Sequence, residues 1–132
     1  MTDQQSGLIF ANLVDFDSMY GHRNDPEGYA RNLEAFDGWL AGARTRLLPG
    51  DLLIVTGDHG NDPTTKSTDH SREYVPLFVS GPYVAGAIDL GTRSTFADLG
   101  QTLAEFFGIE SLPNGSSFLM QLQPPGSPAH AS

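Results

Sequence analysis

Five side chains in three short stretches carry the chemistry open to this sequence: Asp17 with His22, the adjacent Asp58 and His59, and His70 after a loop rich in Asp, Thr and Gly. Ionised carboxylates and neutral imidazoles, with no cysteine among 132 residues, form a donor set for borderline or hard divalent cations such as manganese or zinc. Each residue alone has a plainer role. An aspartate after a strand commonly caps a turn, and Asp58-His59-Gly60 reads equally as a strand-to-loop turn. The recurrence of acid with imidazole in three places favours a metal site.

Such a site needs elements that bring the three stretches together. The apolar runs Leu8-Ile-Phe-Ala-Asn-Leu-Val14 and Leu52-Leu-Ile-Val-Thr56 read as buried parallel strands. Between them Asp25 precedes Pro26 as a helix cap followed by a first-turn proline. Tyr29, Leu33, Phe36, Leu40, Ala43 and Leu47 then recur every three or four residues, an amphipathic helix closed by Pro49-Gly50. Strand, helix and strand in that order predict a right-handed crossover in a parallel sheet. A third strand is expected at 75–80, with Pro76 confined to its start or to an edge, and Gly81-Pro82 closing it. A second helix opens near Ser94-Thr95, with Asp98 placed for a reciprocal cap and Phe96, Leu99, Leu103, Phe106 and Phe107 as its apolar stripe; Gly108 ends it.

On this map the candidate ligands follow the carboxyl ends of strands or precede the third one, the rim where open parallel sheets bind ligands. The loop from Gly57 to Tyr74 is long for a compact domain, and its Asp, His, Thr and Asn content favours a functional role. Asp15 and Asp17 remain equivalent on spacing alone, because residues two apart in an extended segment point the same way. Thr64, Thr65 and Thr68 read as turn formers rather than nucleophiles. Arg72 is suited to phosphate or to an acidic neighbour.

Composition narrows the partners. A formal charge of -9, from seven Lys and Arg against 16 Asp and Glu, disfavours nucleic acid, whose phosphates need a basic footprint. No run is long and apolar enough for a bilayer, no leader pattern opens the chain, and the lack of cysteine suits a cytoplasmic address. The length fits one domain over residues 1–122, and 123–132, which includes His130, reads as a disordered tail.

Five segments extend the reading by resemblance. Asn12-Leu-Val-Asp-Phe-Asp-Ser-Met-Tyr-Gly-His22, Thr56-Gly-Asp-His-Gly-Asn-Asp-Pro-Thr-Thr65 and Thr68-Asp-His-Ser-Arg-Glu-Tyr-Val-Pro76 resemble the carboxyl-terminal part of the phosphopentomutase family. So do Leu90-Gly-Thr-Arg-Ser-Thr-Phe-Ala-Asp-Leu-Gly100 and Gly115-Ser-Ser-Phe118. The resemblance implies an α/β fold, part of a three-layer α/β/α alkaline phosphatase-like domain with a mainly parallel sheet. It implies isomerase activity, interconverting ribose or deoxyribose 1-phosphate and 5-phosphate with two divalent metal ions, manganese by family. It assigns Asp17, His22 and His70 to one metal, and Asp58 and His59 to the other.

The family's phosphorylated threonine, a further ligand aspartate and the sugar-recognising cap domain fall upstream of the matched segments. The chain is therefore expected to contain no catalytic nucleophile and to be inactive alone, with a complementary upstream chain as a candidate partner and a phosphorylated pentose as the substrate of the intact enzyme. Competing readings are another alkaline phosphatase superfamily mutase or phosphatase, and a noncatalytic metal-binding fragment.

Overall fold

The computed structural model describes residues 7–123, which fall into two compact units. One comprises the chain up to Gly38 together with His59–Tyr74; the other comprises Trp39–Asp58 together with the chain from Val75 onward. The tail expected at 123–132, with His130, lies outside the described residues except for Gln123.

In the first unit the run at 8–14 is not a strand. It has no ladder partner among the described residues, and Ile9 and Phe10 are 96% and 85% exposed. β-propensity describes fit to a pleated, half-covered surface, so an apolar run with no neighbouring edge to receive its N–H and C=O groups stays irregular. The crossover expected from 8–14 through the helix to 52–56 is accordingly not formed.

The chain then closes into a π-helical turn, Phe16–Gly21, and enters helix α1, Pro26–Arg44. Asp25 caps α1 as the sequence requires: its Oδ1 accepts the Gly28 N–H at 2.8 Å and its carbonyl accepts the Tyr29 N–H at 2.9 Å. Gly28 is the one buried residue of α1. A side chain there would meet the Asp25 carboxylate and the Tyr20 ring. Phe16 packs edge-on against Tyr29 and Phe36, with centroids 5.3 and 6.3 Å apart. The helix stops at Arg44, before Pro49-Gly50, and the chain continues through turns closed by Arg46 N–H to the Ala43 carbonyl and by Leu48 N–H to Asp51 Oδ2.

The second unit contains strands β1, Leu53–Thr56, and β2, Leu77–Ser80. They pair antiparallel, with Leu53 opposite Ser80 and Thr56 opposite Leu77. This corrects the parallel pairing expected of 52–56. β2 runs back along β1 after the 57–76 loop, and the Thr56 hydroxyl donates to the Pro76 carbonyl at 2.8 Å across the loop's ends. Pro76 sits just before β2, where its missing N–H leaves no gap in the ladder.

Helix α2, Ala97–Phe106, follows. Thr95 Oγ1 accepts the Ala97 N–H at 3.2 Å. Asp98 does not return a reciprocal cap. The residue is buried, and its side chain is turned to Arg93 and Ser116. Gly108, at φ 64°, ends the helical segment in the left-handed conformation.

The core of this unit is Phe118 with Leu119 and Leu122, the last two in a 3₁₀ turn, Leu119–Leu122. Leu52, Leu77, Val79, Tyr83, Leu90, Leu99 and Phe106 pack around them. The face of α2 toward this core is partly polar. Thr102, fully buried, donates to the Asp98 carbonyl at 2.7 Å and accepts the Phe118 N–H at 3.0 Å. A buried polar side chain is tolerated because each of its hydrogen-bonding partners is met. Phe96, expected on the apolar stripe, is 59% exposed.

Candidate metal centre

The spacing of Asp17 and His22 is explained by the turn that carries them. Five residues apart on a regular α-helix would put two side chains about 140° apart around the axis. Here the His22 N–H donates to the Asp17 carbonyl at 2.9 Å, an i to i+5 bond, and the widened turn brings residue 22 back over residue 17. The imidazole Nε2 consequently lies 3.2 Å from Asp17 Oδ2. Because the segment is a helical turn rather than extended, Asp15 and Asp17 are not equivalent, and Asp17 is the one facing the imidazoles.

His59 and His70 arrive on the 57–76 loop. A single antiparallel bridge between Gly60 and Ser71 cinches that loop, with the Ser71 N–H donating to the Gly60 carbonyl at 3.0 Å. Ser71 Oγ in turn accepts the Asp62 N–H at 2.8 Å. Gly60 leaves no room for a side chain, since a Cβ there would sit 2.6 Å from the Ser71 carbonyl oxygen. The bridge stacks the His59 ring on the His70 ring, with centroids 3.7 Å apart, and sets His22 4.9 Å from His70 on centroids. His70 Nε2 lies 3.4 Å from Asp17 Oδ1. One ligand atom each from Asp17, His59 and His70 falls within 4.8 Å of the others.

The ring nitrogens on the far side are tied to carbonyls. His22 Nδ1 donates to the Thr68 carbonyl, and His59 Nδ1 lies 3.3 Å from the Gly60 carbonyl. A carbonyl only accepts, so each such contact places the ring proton on Nδ1 and turns the Nε2 lone pair of a neutral imidazole to the other side. At His22, Nε2 faces the Asp17 carboxylate at 3.2 Å, two donor atoms placed so that one divalent cation would fit between them. The separations of 3.2 and 3.4 Å match the edges of a coordination polyhedron with bonds of about 2.1 Å, roughly 3.0–3.4 Å. The donor set fits a divalent ion, and a carbonyl behind the ligating ring is the usual way such imidazoles are held.

Asp58, the fifth candidate, is exposed and belongs to the other unit, of which it closes the first stretch. The threonines of the loop make turns: Thr64 donates from its N–H and hydroxyl to Asp62 Oδ1 at 2.9 and 2.7 Å, and Thr65 Oγ1 donates to the Asp62 carbonyl at 3.1 Å. The hydroxyl bond from Thr64, then its N–H, lowers the Asp62 carboxyl below its ordinary value. Burial, and next the charge of Asp17, raise the Tyr29 phenol. Sequence reasoning passed over one contributor. Asn61 Nδ2 donates to Asp17 Oδ1 at 2.6 Å, and although Asn61 lies inside a quoted motif, nothing local to it signals a partner 44 residues away.

The donor set is of a kind that holds divalent metal ions, and the Metalloenzyme superfamily model matches residues 1–111; the protein belongs to that superfamily. Within it the chain is similar to phosphopentomutases. It is 63% identical over 116 residues to the phosphopentomutase of Anaeromyxobacter dehalogenans, covering 88% of this chain and 29% of the relative. It is 58% identical over 120 residues to that of Desulfitobacterium hafniense, covering 91% and 31%, and 58% identical over 116 residues to that of Kosmotoga olearia, covering 88% and 30%. The chain thus spans about three-tenths of the length of the curated relatives it matches.

Proposed function

We propose that this chain is the metal-holding carboxyl-terminal part of a phosphopentomutase, acting on ribose or deoxyribose phosphates. The observation that carries the proposal is the meeting of Asp17, His22, His59 and His70 in one unit, in a chain 58–63% identical to named phosphopentomutases. Asp17, His22 and His70 would hold one divalent ion, and His59 with Asp58 a second, manganese in both cases. This division between two ions follows the family resemblance; by geometry, one ligand atom each from Asp17, His59 and His70 lies within 4.8 Å of the others. A pair of divalent cations supplies charge neutralisation on phosphoryl oxygens and alignment of the attacking group.

What the chain itself contributes is preorganisation. The Thr68 carbonyl fixes the His22 tautomer, the Gly60–Ser71 bridge fixes the spacing of His59 and His70, and the π-helical turn aligns Asp17 with His22. No catalytic nucleophile is assigned here. The resemblance puts the phosphorylated threonine, a further ligand aspartate and the sugar-recognising domain outside the matched segment. The same proposal places the apolar run 8–14 as a strand in a mainly parallel, three-layer α/β/α domain, once a partner strand is supplied. A cytoplasmic address accords with the absence of cysteine.

The test is conversion of ribose 1-phosphate to ribose 5-phosphate with manganese, by the chain alone and mixed with the complementary amino-terminal portion of the Anaeromyxobacter enzyme. No turnover alone and turnover in the mixture are expected. Turnover by the chain alone would overturn the account of the missing nucleophile. Manganese binding without turnover in the mixture favours the noncatalytic metal-binding reading.

A further inference from the structure

Asp17 is the hub of the candidate centre. Oδ2 faces His22 at 3.2 Å and Oδ1 faces His70 at 3.4 Å. A carboxylate on a short side chain rotates easily, and a rotation about its last bond would misdirect both oxygens at once. One contact opposes that rotation. Asn61 Nδ2 reaches Oδ1 at 2.6 Å, and since a carboxylate offers only lone pairs, the amide must present its NH₂ end there. An ionised carboxylate has about four acceptor positions, so one bond to Asn61 leaves Oδ1 able to serve His70's side of the site and Oδ2 free for His22's.

The amide is itself confined. It packs against the buried Gly21 at the end of the π-helical turn, and a Cβ at that glycine would run into the Asn61 amide. Gly21 has no positive φ to account for it, so the space left for Asn61 is its structural use. On the loop side, Asn61 lies next to Gly60, whose carbonyl accepts the Ser71 N–H of the bridge, and the adjoining Asp62 N–H donates to Ser71 Oγ. The same loop is held again by Asn24 Nδ2, which donates to the Thr65 carbonyl at 2.6 Å.

We propose that Asn61 is a positioning residue, its amide clamped between Gly21 and the bridged loop and locking the Asp17 carboxylate in the rotamer that presents one oxygen to His22 and the other to His70. The proposal rests on the metal-site reading for its consequence, and on the metal-free geometry for its content. The two are separable by experiment.

The full chain is prepared as wild type, Asn61→Leu, which keeps the branching at Cγ but replaces the donor with a methyl group, and Asn61→Ala. Far-UV circular dichroism checks that each folds. Long-range ¹H–¹⁵N spectra of the imidazoles in metal-free protein, assigned with His22→Ala and His70→Ala, report the ring nitrogens that face the Asp17 carboxylate. Isothermal titration with manganese chloride reports the site. Both Asn61 variants are expected to shift the His22 and His70 ring signals and to weaken manganese binding about 10- to 100-fold, the loss typical of removing a ligand's supporting partner. Unchanged His22 and His70 signals in Asn61→Leu would overturn the proposal whatever the titration gives, because a space-filling role survives that substitution. Failure of the wild-type chain to bind manganese would overturn the metal-site reading, while the imidazole spectra still decide the role of Asn61.

Discussion

Arg93 meets Asp98 with two nitrogens on one oxygen: Nε and a terminal nitrogen each lie 2.8 Å from Oδ2, while Oδ1 accepts the Ser116 N–H at 2.9 Å. The same guanidinium donates to the Ser116 carbonyl at 3.1 Å and lies 5.5 Å from the centre of the Phe118 ring. This pair pins the 115–118 turn onto the start of α2 and so delivers Phe118 to the core. Gly115, at φ 92°, passes so close to the Ala97 carbonyl that a side chain would collide with it.

Acid should loosen this pinning. The Ser116 N–H, and then the hydrogen bond and charge of Arg93, hold the Asp98 carboxyl below its ordinary value against the opposing effect of burial. A carboxyl depressed on folding contributes stability that is complete above its unfolded value, about pH 4, and is lost as pH falls through the lower folded value. The urea midpoint of the wild-type chain is expected to drop below about pH 4 by more than that of Asp98→Asn, whose curve lacks this component. Parallel curves for the two proteins from pH 7 to pH 3 would refute the assignment.

Removing the aromatic centre of the second unit should be costly. Phe118 is fully buried, and Phe118→Ala is expected to destabilise the chain by about 3–5 kcal/mol, the range for deleting a buried phenylalanine. Met120→Ala is the matched control, because Met120, two residues on, is 61% exposed. Urea denaturation followed by circular dichroism compares the two, and a similar small loss in both would contradict the core described above.

The backbone stops and starts of the helices give two contrasting substitutions. Asp25→Ala removes the acceptor of the Gly28 N–H and is expected to cost about 1 kcal/mol, as loss of a helix cap does. Gly108→Ala meets open space, so its cost is purely conformational, roughly 1–2 kcal/mol for an alanine held left-handed. Thermal unfolding of each variant reads these losses. A neutral Gly108→Ala would mean the chain leaves α2 by another route.

Ligand deletions should separate the centre from the remaining histidine. His22→Ala and His70→Ala each remove a ring facing Asp17, and each is expected to weaken manganese binding about tenfold or more. His130→Ala should leave it unchanged. Calorimetric titrations that rank all three variants alike would remove the histidines from the site.

Local chemistry made much of this protein legible before any coordinates. Asp25-Pro26 announces α1 because a short acid before a proline satisfies free N–H groups from within four residues, and the cap is there. Gly108 ends the second helical segment, and Pro76 stands just ahead of β2, for equally local reasons. The kinds of candidate ligand, imidazole and carboxylate without thiolate, are set by composition alone.

Pairings between distant residues were decided by the tertiary structure. Strand propensity at 8–14 promised a strand, yet without a neighbouring edge among the described residues the run stays exposed, whereas 53–56 found β2 and paired antiparallel. Asp17 is distinguished from Asp15 by a π-helical turn, whose i to i+5 bond no alternation of apolar residues encodes. The contact of Asn61 with Asp17 depends on a loop closed between Gly60 and Ser71 and on space left at Gly21. Sequence determines the groups and their short-range bonds because those act within a turn. Which oxygen faces which ring depends on how separated segments close on one another, and only the folded chain sets that.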